Sequence, residues 1–246
     1  YMPPVDLVQM FLDLAQKHGM KFFFGNYTGG YYVTGDYQRE IDINKRVGEE
    51  AWARYGSHPA FYGWYLTQEV GRLMWNIIDV LVEIGQFYKE LSGGKPALIS
   101  PYLEGIKLVN AFSAELTGNP TRVTVEQHVK EWDEIMAAIR PVIDIVAFQD
   151  GQCDYDELPD FLHTNKELTD RHGLTCWTNC ESFDRDMPIK FLPIKWEKML
   201  LKLKAAERAG ITDAITFEFS HFMSPNSCYP AAGHLYHRYL EYRAGM

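Results

Sequence analysis

Cysteine is scarce in this chain: the four in 246 residues, Cys153, Cys176, Cys180 and Cys228, are too few and too scattered for a disulfide scaffold or a paired-cysteine zinc site. Cys176 and Cys180 fall four apart on one strand candidate, roughly 13 Å at strand rise, so they cannot bond each other. All four read as buried thiols. Positive charge is also short. With 24 Lys and Arg against 33 Asp and Glu, the net charge is −9, and no basic run is long enough to track a phosphate backbone, which argues against nucleic acid as a partner. The same acidity disfavours anionic membrane surfaces. No apolar run approaches the roughly 18 uninterrupted residues of a membrane span, and Tyr1-Met2-Pro3-Pro4 has neither the basic start nor the apolar core of a signal peptide, although a removed leader would leave no trace here. No glycine-rich phosphate loop follows any strand candidate: Gly29-Gly30 sits among tyrosines and Gly93-Gly94 precedes a strand. A nucleotide-binding sheet is therefore disfavoured. No GxSxG elbow occurs and no Cys–His pairing announces itself. His234 and His237 are three apart on a helix without a third ligand at motif spacing. Neither metal nor cofactor is expected.

What is present is a repeated punctuation. Lys17-His18-Gly19, Arg171-His172-Gly173 and Arg208-Ala209-Gly210 each end a helical pattern with a basic last turn and a glycine, and an apolar run follows at once. The helical period shows again in Met74, Ile77, Ile78 and Leu81, in Val125, Val129, Trp132 and Met136, and in Trp196, Met199, Leu200 and Leu203. Thr124 with Gln127 makes a capping box. Six strand candidates, about 20–27, 60–68, 96–102, 143–149, 174–180 and 213–219, alternate with these helices, which implies parallel pairing with right-handed crossovers in one domain. Six strands suit a doubly wound sheet; a TIM-type (β/α)8 barrel needs eight, so that reading places two strands upstream of the first helix.

Two apolar runs end on a glutamate: Phe61-Tyr62-Gly63-Trp64-Tyr65-Leu66-Thr67-Gln68-Glu69 and Leu174-Thr175-Cys176-Trp177-Thr178-Asn179-Cys180-Glu181. Paired carboxylates at the ends of parallel strands are what glycosidic cleavage requires, one to protonate the leaving oxygen and one to attack or stabilise the sugar cation. Strand alternation groups Gly63, Tyr65 and Thr67 with Glu69, and Thr175, Trp177 and Asn179 with Glu181. In 213–219 it sets Ala214, Thr216 and Glu218 on an inward face, with Ile215, Phe217 and Phe219 towards the helices. The structural alternative is that Glu69 and Glu181 open the following helices, offsetting the macrodipole, and that Glu218 pairs with a cation. The 15 tyrosines and six tryptophans include Tyr27, Trp64, Tyr65, Tyr102 and Trp177 beside strand ends, where rings stack on sugar faces. Asn26, Gln68, Gln149, Asp150, Asn179, Glu218 and His221 are candidates for holding hydroxyls.

At Asp6-Leu7-Val8, Gly19-Met20-Lys21-Phe22-Phe23-Phe24-Gly25 and Tyr55-Gly56-Ser57-His58-Pro59-Ala60 running on through Glu69, the chain resembles a bacterial domain-of-unknown-function family related to glycoside hydrolases. That resemblance implies a (β/α)8 barrel with two strands ahead of the first one here, making the Glu69 strand the fourth and the Glu181 strand the seventh. It implies Glu69 as acid/base and Glu181 as nucleophile of a retaining glycosidase, with carboxyl groups about 5 to 5.5 Å apart. In the large clan of retaining barrel glycosidases, whose fourth- and seventh-strand positions these match, Asn usually directly precedes the acid/base; here the residue is Gln68. A carbohydrate substrate and a periplasmic or secreted setting are further implications. The rival reading is a carbohydrate-binding barrel without catalysis.

Overall fold

A computed structural model of the chain describes residues 4–107, 123–186 and 190–245; Tyr1, Met2 and Pro3, read above for a leader, lie outside the described residues. The chain divides into two compact units, Tyr1–Ile99 with Glu134–Ile145, and Ser100–Asp133 with Val146–Met246. All six strand candidates form, somewhat shorter than expected, and among the described residues no helix is long and apolar enough to cross a membrane.

The first unit runs α1 (Leu7–Lys17), β1 (Phe22–Gly25), α2 (Tyr31–Thr34), α3 (Tyr37–Tyr55), β2 (Phe61–Leu66), α4 (Trp75–Ser92) and β3 (Ala97–Ile99). Its strands pair in parallel in the order of the chain, Phe24 opposite Trp64 and Trp64 opposite Ala97. Sequential order is the mark of a singly wound α/β fold; a doubly wound sheet reverses direction at a switch point. The register shifts between Phe22 and Phe23, a bulge that puts Phe61, Trp64 and Leu66 on the same buried side of β2 despite strict alternation. There Trp64 stacks on Tyr88 at 4.4 Å between ring centroids and meets Trp52 at 6.2 Å. Gly63 is required where it stands, because a Cβ there would be 2.3 Å from the Pro96 carbonyl oxygen.

The second unit contains most of α5 (Val125–Ile139) and β4 (Ile145–Gln149), then α6 (Leu158–His172), β5 (Thr175–Asn179), an antiparallel hairpin of β6 (Phe183–Asp186) and β7 (Lys190–Pro193), α7 (Trp196–Arg208), β8 (Ala214–Ile215), α8 (Phe219–Phe222) and α9 (Pro230–Ala244). Here too β5 pairs in parallel with β8, Asn179 opposite Ile215. The hairpin has no counterpart in the expected elements. Gly19, Gly173 and Gly210 have φ of 64°, 71° and 78°, so all three helix stops work as read, through the left-handed turn that glycine adopts without a Cβ clash. The capping box is half formed: Gln127 N–H donates to Thr124 Oγ1 at 3.2 Å, while the Gln127 amide reaches forward to Glu131. Cys153, Cys176 and Cys180 are buried as expected, but Cys228 is exposed.

Among the titratable groups in the core of this unit that folding disfavours charging, His128 is the one that changes charge near neutral pH. His128 is enclosed by Trp132, Phe148 and Phe161, and its Nε2 lies 2.7 Å from Asn165 Oδ1. Burial lowers its pKa to about 4, against a smaller upward pull from the Asn165 hydrogen bond. In the unfolded chain the ring takes up its proton near the ordinary value of 6.5. Between those values the unfolded state binds more protons, so stability falls as pH drops through the window, by up to about 3 kcal/mol at about pH 4. Urea unfolding at about pH 7, 5.5 and 4.5 should show this loss, and His128→Gln should flatten it. Equal pH dependence in the two proteins would show that His128 is not the group responsible.

Candidate functional site

In the first unit the expected residues gather where β1 and β2 end. Asn26 follows β1 directly. Its Nδ2 donates to Gln68 Oε1 at 2.9 Å and its Oδ1 accepts from Thr67 N–H at 2.8 Å, so the two loops are tied together. Gln68, 2% exposed, donates to Glu40 Oε1 at 2.7 Å. Glu40 lies on α3, fully buried, and also accepts from Tyr31 N–H at 3.1 Å and Asn44 Nδ2 at 3.3 Å. Asn44 Oδ1 in turn accepts Tyr27 N–H at 2.9 Å. Glu69 emerges from this frame exposed, in the stretch between Leu66 and Trp75 that precedes α4, so it does not open that helix. Its N–H donates to the Tyr32 hydroxyl at 3.4 Å. Burial pushes the Tyr32 pKa up, and the Glu69 and Glu40 charges add to this against the lowering effect of that hydrogen bond. Tyr27 is half exposed and Tyr65 partly so. Trp64 is a correction: with no exposed surface and its Nε1 donating to Ser92 Oγ at 3.1 Å, it packs the helix side of the sheet and presents no face to a sugar. Asn26 and Gln68 likewise spend their amides on the protein.

In the second unit β4 ends at Gln149, whose Nε2 donates to the Ser100 carbonyl at 2.6 Å; Tyr102 bridges to Gln149 in parallel. Both are partly exposed, as is Trp177. Asn179, the last residue of β5, is buried, donating to Ser100 Oγ at 3.0 Å and accepting from Phe217 N–H at 3.1 Å. Asp150 is 1% exposed and ion-paired with Lys202 at 2.7 Å, so it too is withdrawn from a direct role in holding hydroxyls. Glu181, 2% exposed, comes two residues after β5 and before the β6 strand, so it opens no helix.

Glu218 departs from its expected setting. β8 stops at Ile215, and Glu218 is the N-cap of α8, accepting from Ser220 N–H at 3.0 Å and His221 N–H at 2.8 Å and contacting the His221 ring through Nδ1. Burial raises its pKa, but the bonds from Ser220 and His221 outweigh this and hold it below the ordinary carboxylate value. Capping satisfies orphan helix donors, which explains the acid without a buried inward charge. Phe217 and Phe219, expected against helices, are 56% and 47% exposed. His234 and His237 are exposed on α9, and among the described residues no three His, Cys, Asp or Glu side chains gather as metal ligands.

Three residues were missed. Glu40 and Lys202 sit on the buried stripes of their helices, Glu40, Ile41, Asn44 and Gly48 on α3, and Trp196, Met199, Lys202 and Ala205 on α7. A charge in register with an apolar stripe was the available signal. Gly151 had none, since only the fold shows what lies over it.

Residues 1–229 match the family model described as a domain of unknown function, DUF4434. No curated protein matches the chain. Among solved structures, the chain is 52% identical, at a TM-score of 0.90, to a “putative alpha-L-fucosidase” from Bacteroides thetaiotaomicron VPI-5482, covering 98% of this chain and 73% of that one. An endo-1,4-beta-D-mannanase from Thermotoga petrophila RKU-1 aligns at a TM-score of 0.55 and 11% identity over 85% of this chain and 67% of its own. A beta-D-glucuronidase of Dictyoglomus thermophilum aligns at 0.52 and 13%, over 89% and 37%. These likenesses show the architecture: a TIM-type (β/α)8 barrel, of which six parallel strands lie among the described residues.

Proposed function

The chain belongs to the DUF4434 family, and on that premise we propose that it is a glycoside hydrolase acting with retention of configuration on an oligosaccharide or polysaccharide. Glu69 is the acid/base and Glu181 the nucleophile. The observation that carries the reading is that each glutamate stands just past the carboxyl end of its own parallel strand, β2 for Glu69 and β5 for Glu181, the end at which barrel enzymes build their active sites. Their settings differ in the direction the roles ask for. Glu69 is exposed on a braced loop, suited to exchanging protons with a leaving group and then with water; Glu181 is buried and held, suited to in-line attack.

In the first step the Glu181 carboxylate attacks the anomeric carbon while Glu69 gives its proton to the departing oxygen, leaving a glycosyl ester. In the second, Glu69 takes a proton from water, which displaces Glu181 with a second inversion. The carboxylates supply the whole of this chemistry. Tyr27, Tyr65, Tyr102 and Trp177 offer partly exposed rings for sugar faces, and Gln149, Glu218 and His221 offer polar groups for hydroxyls. The relative's name makes an α-L-fucoside the first substrate to try, and a polysaccharide substrate would suit the periplasm or the cell exterior. The test is proton NMR of the first-formed anomer from 4-nitrophenyl α-L-fucopyranoside, with β-D-mannoside, β-D-xyloside and β-D-glucuronide analogues beside it. Retention is expected; an inverted first product would end the mechanism.

A further inference from the structure

The loop after β4 and the middle of α7 converge on a single residue, Glu181. Lys202 Nζ lies 2.7 Å from Asp150 Oδ1, and the two side chains are 4% and 1% exposed. The same Asp150 oxygen accepts Glu181 N–H at 3.1 Å, and the same ammonium donates to the Glu181 carbonyl at 3.0 Å. Both backbone polar groups of Glu181 are thus held by one buried ion pair. The reason lies in the sheet. Cys180 N–H and Ser182 N–H donate to the Ile215 and Phe217 carbonyls on one side, so strand alternation turns the Glu181 peptide to the other side, towards β4. There the ladder reaches its last bond, Asp150 N–H to the Asn179 carbonyl at 3.2 Å. Beyond it the Asp150 side chain takes the place of a strand carbonyl. Next in the chain, Gly151 lies under the Glu181 carboxylate: a Cβ on it would fall 1.6 Å from Oε2 and 2.3 Å from Cδ.

We propose that Lys202, Asp150 and Gly151 are positioning residues for Glu181, the ion pair fixing its backbone and the bare Gly151 Cα forming the seat of its carboxylate. This inference rests on Glu181 being the nucleophile. A pair buried this deeply is weak grounds for stability, since apolar replacements are often as stable; what it supplies here is two directed hydrogen bonds to one residue. Burial opposes the Lys202 charge, but the neighbouring Asp150 carboxylate outweighs it and holds the ammonium above its ordinary pKa, so Lys202 stays charged across the working range.

The test compares Gly151→Ala, the paired Asp150→Asn with Lys202→Gln, and Glu181→Gln, in steady-state hydrolysis of 4-nitrophenyl α-L-fucopyranoside by protein that is folded by circular dichroism. The paired variant removes both charges together, so no lone buried ion is left to unfold it; should it fail to fold, Gly151→Ala decides, since its change is one methyl group. Displacing a reacting group by about 1 Å costs about a hundredfold. The expected result is therefore kcat down by about a hundredfold in Gly151→Ala and by at least about tenfold in the paired variant, with KM within about threefold of wild type in both. A role confined to stability would lower melting temperature and leave kcat of the folded protein unchanged. Wild-type kcat in folded Gly151→Ala and paired variants, with Glu181→Gln inactive, would overturn the positioning role and leave the nucleophile in place. Turnover by Glu181→Gln, or none by wild type on the fucoside and on the mannoside, xyloside and glucuronide analogues alike, would overturn the nucleophile assignment and the positioning role with it.

Discussion

Glu181→Gln is expected to abolish turnover, by at least about 10⁴-fold, while a bound sugar is still retained. An amide oxygen is a poor nucleophile, and the glycosyl ester on which retention depends cannot form. The substitution is nearly isosteric, and the variant would keep the backbone bonds to Asp150 and Lys202, because those are made by the N–H and C=O of position 181 and not by its side chain. Stability should therefore change little, and the variant should bind substrate by calorimetry with an affinity near the wild-type KM. The same reasoning separates the two readings of the barrel. A sugar-binding protein without catalysis would also bind, but its wild type would release no nitrophenol, and Glu181→Gln would then differ from it in nothing. Wild-type rates in Glu181→Gln would remove the residue from the chemistry altogether.

The three Lys/Arg–His/Ala–Gly junctions were legible because a helix stop is local: the glycine answers a steric demand set by its own backbone. Both glutamates at strand ends were legible for the same reason, as apolar runs break where strands leave the core. What was not legible depends on long-range neighbours. The bulge between Phe22 and Phe23 is set by pairing with β2, and the place of Trp64 in the core is set by its stacking on Tyr88 of α4. Glu218 read as an inward strand residue because alternation was carried past the end of β8; the chain there turns into α8, and the acid caps it. Asp150 and Asn179 looked like hydroxyl binders because amides and acids at strand ends have that use. Their partners, Lys202 and Ser100, lie 52 and 79 residues away, and no spacing rule finds them. The hairpin β6–β7 escaped notice because its strands are four residues each and carry charges at positions an alternation test rejects.

Glu69→Gln should divide substrates by their leaving groups. Protonation matters in the first step only when the departing oxygen is basic, so an alkyl glycoside or a sugar–sugar bond should lose about 10³-fold or more, at the upper part of what general acid catalysis supplies. A 2,4-dinitrophenyl glycoside leaves as a stable anion and needs no proton, so formation of the glycosyl ester should be nearly spared. The second step still needs a base, and the variant should therefore release a burst of dinitrophenol equal to the enzyme present and then turn over slowly. Azide, which attacks without giving up a proton, should restore the slow phase and yield a glycosyl azide of retained configuration. Stopped-flow absorbance measures the burst and NMR identifies the azide. Glu69 is exposed at the loop surface, and the Asn26, Gln68 and Glu40 bonds that brace the loop do not pass through its carboxylate. Equal losses on alkyl and dinitrophenyl substrates would show that Glu69 shapes the site without donating the proton. Unimpaired turnover of the dinitrophenyl glycoside, with no burst, would place the base of the second step on another residue.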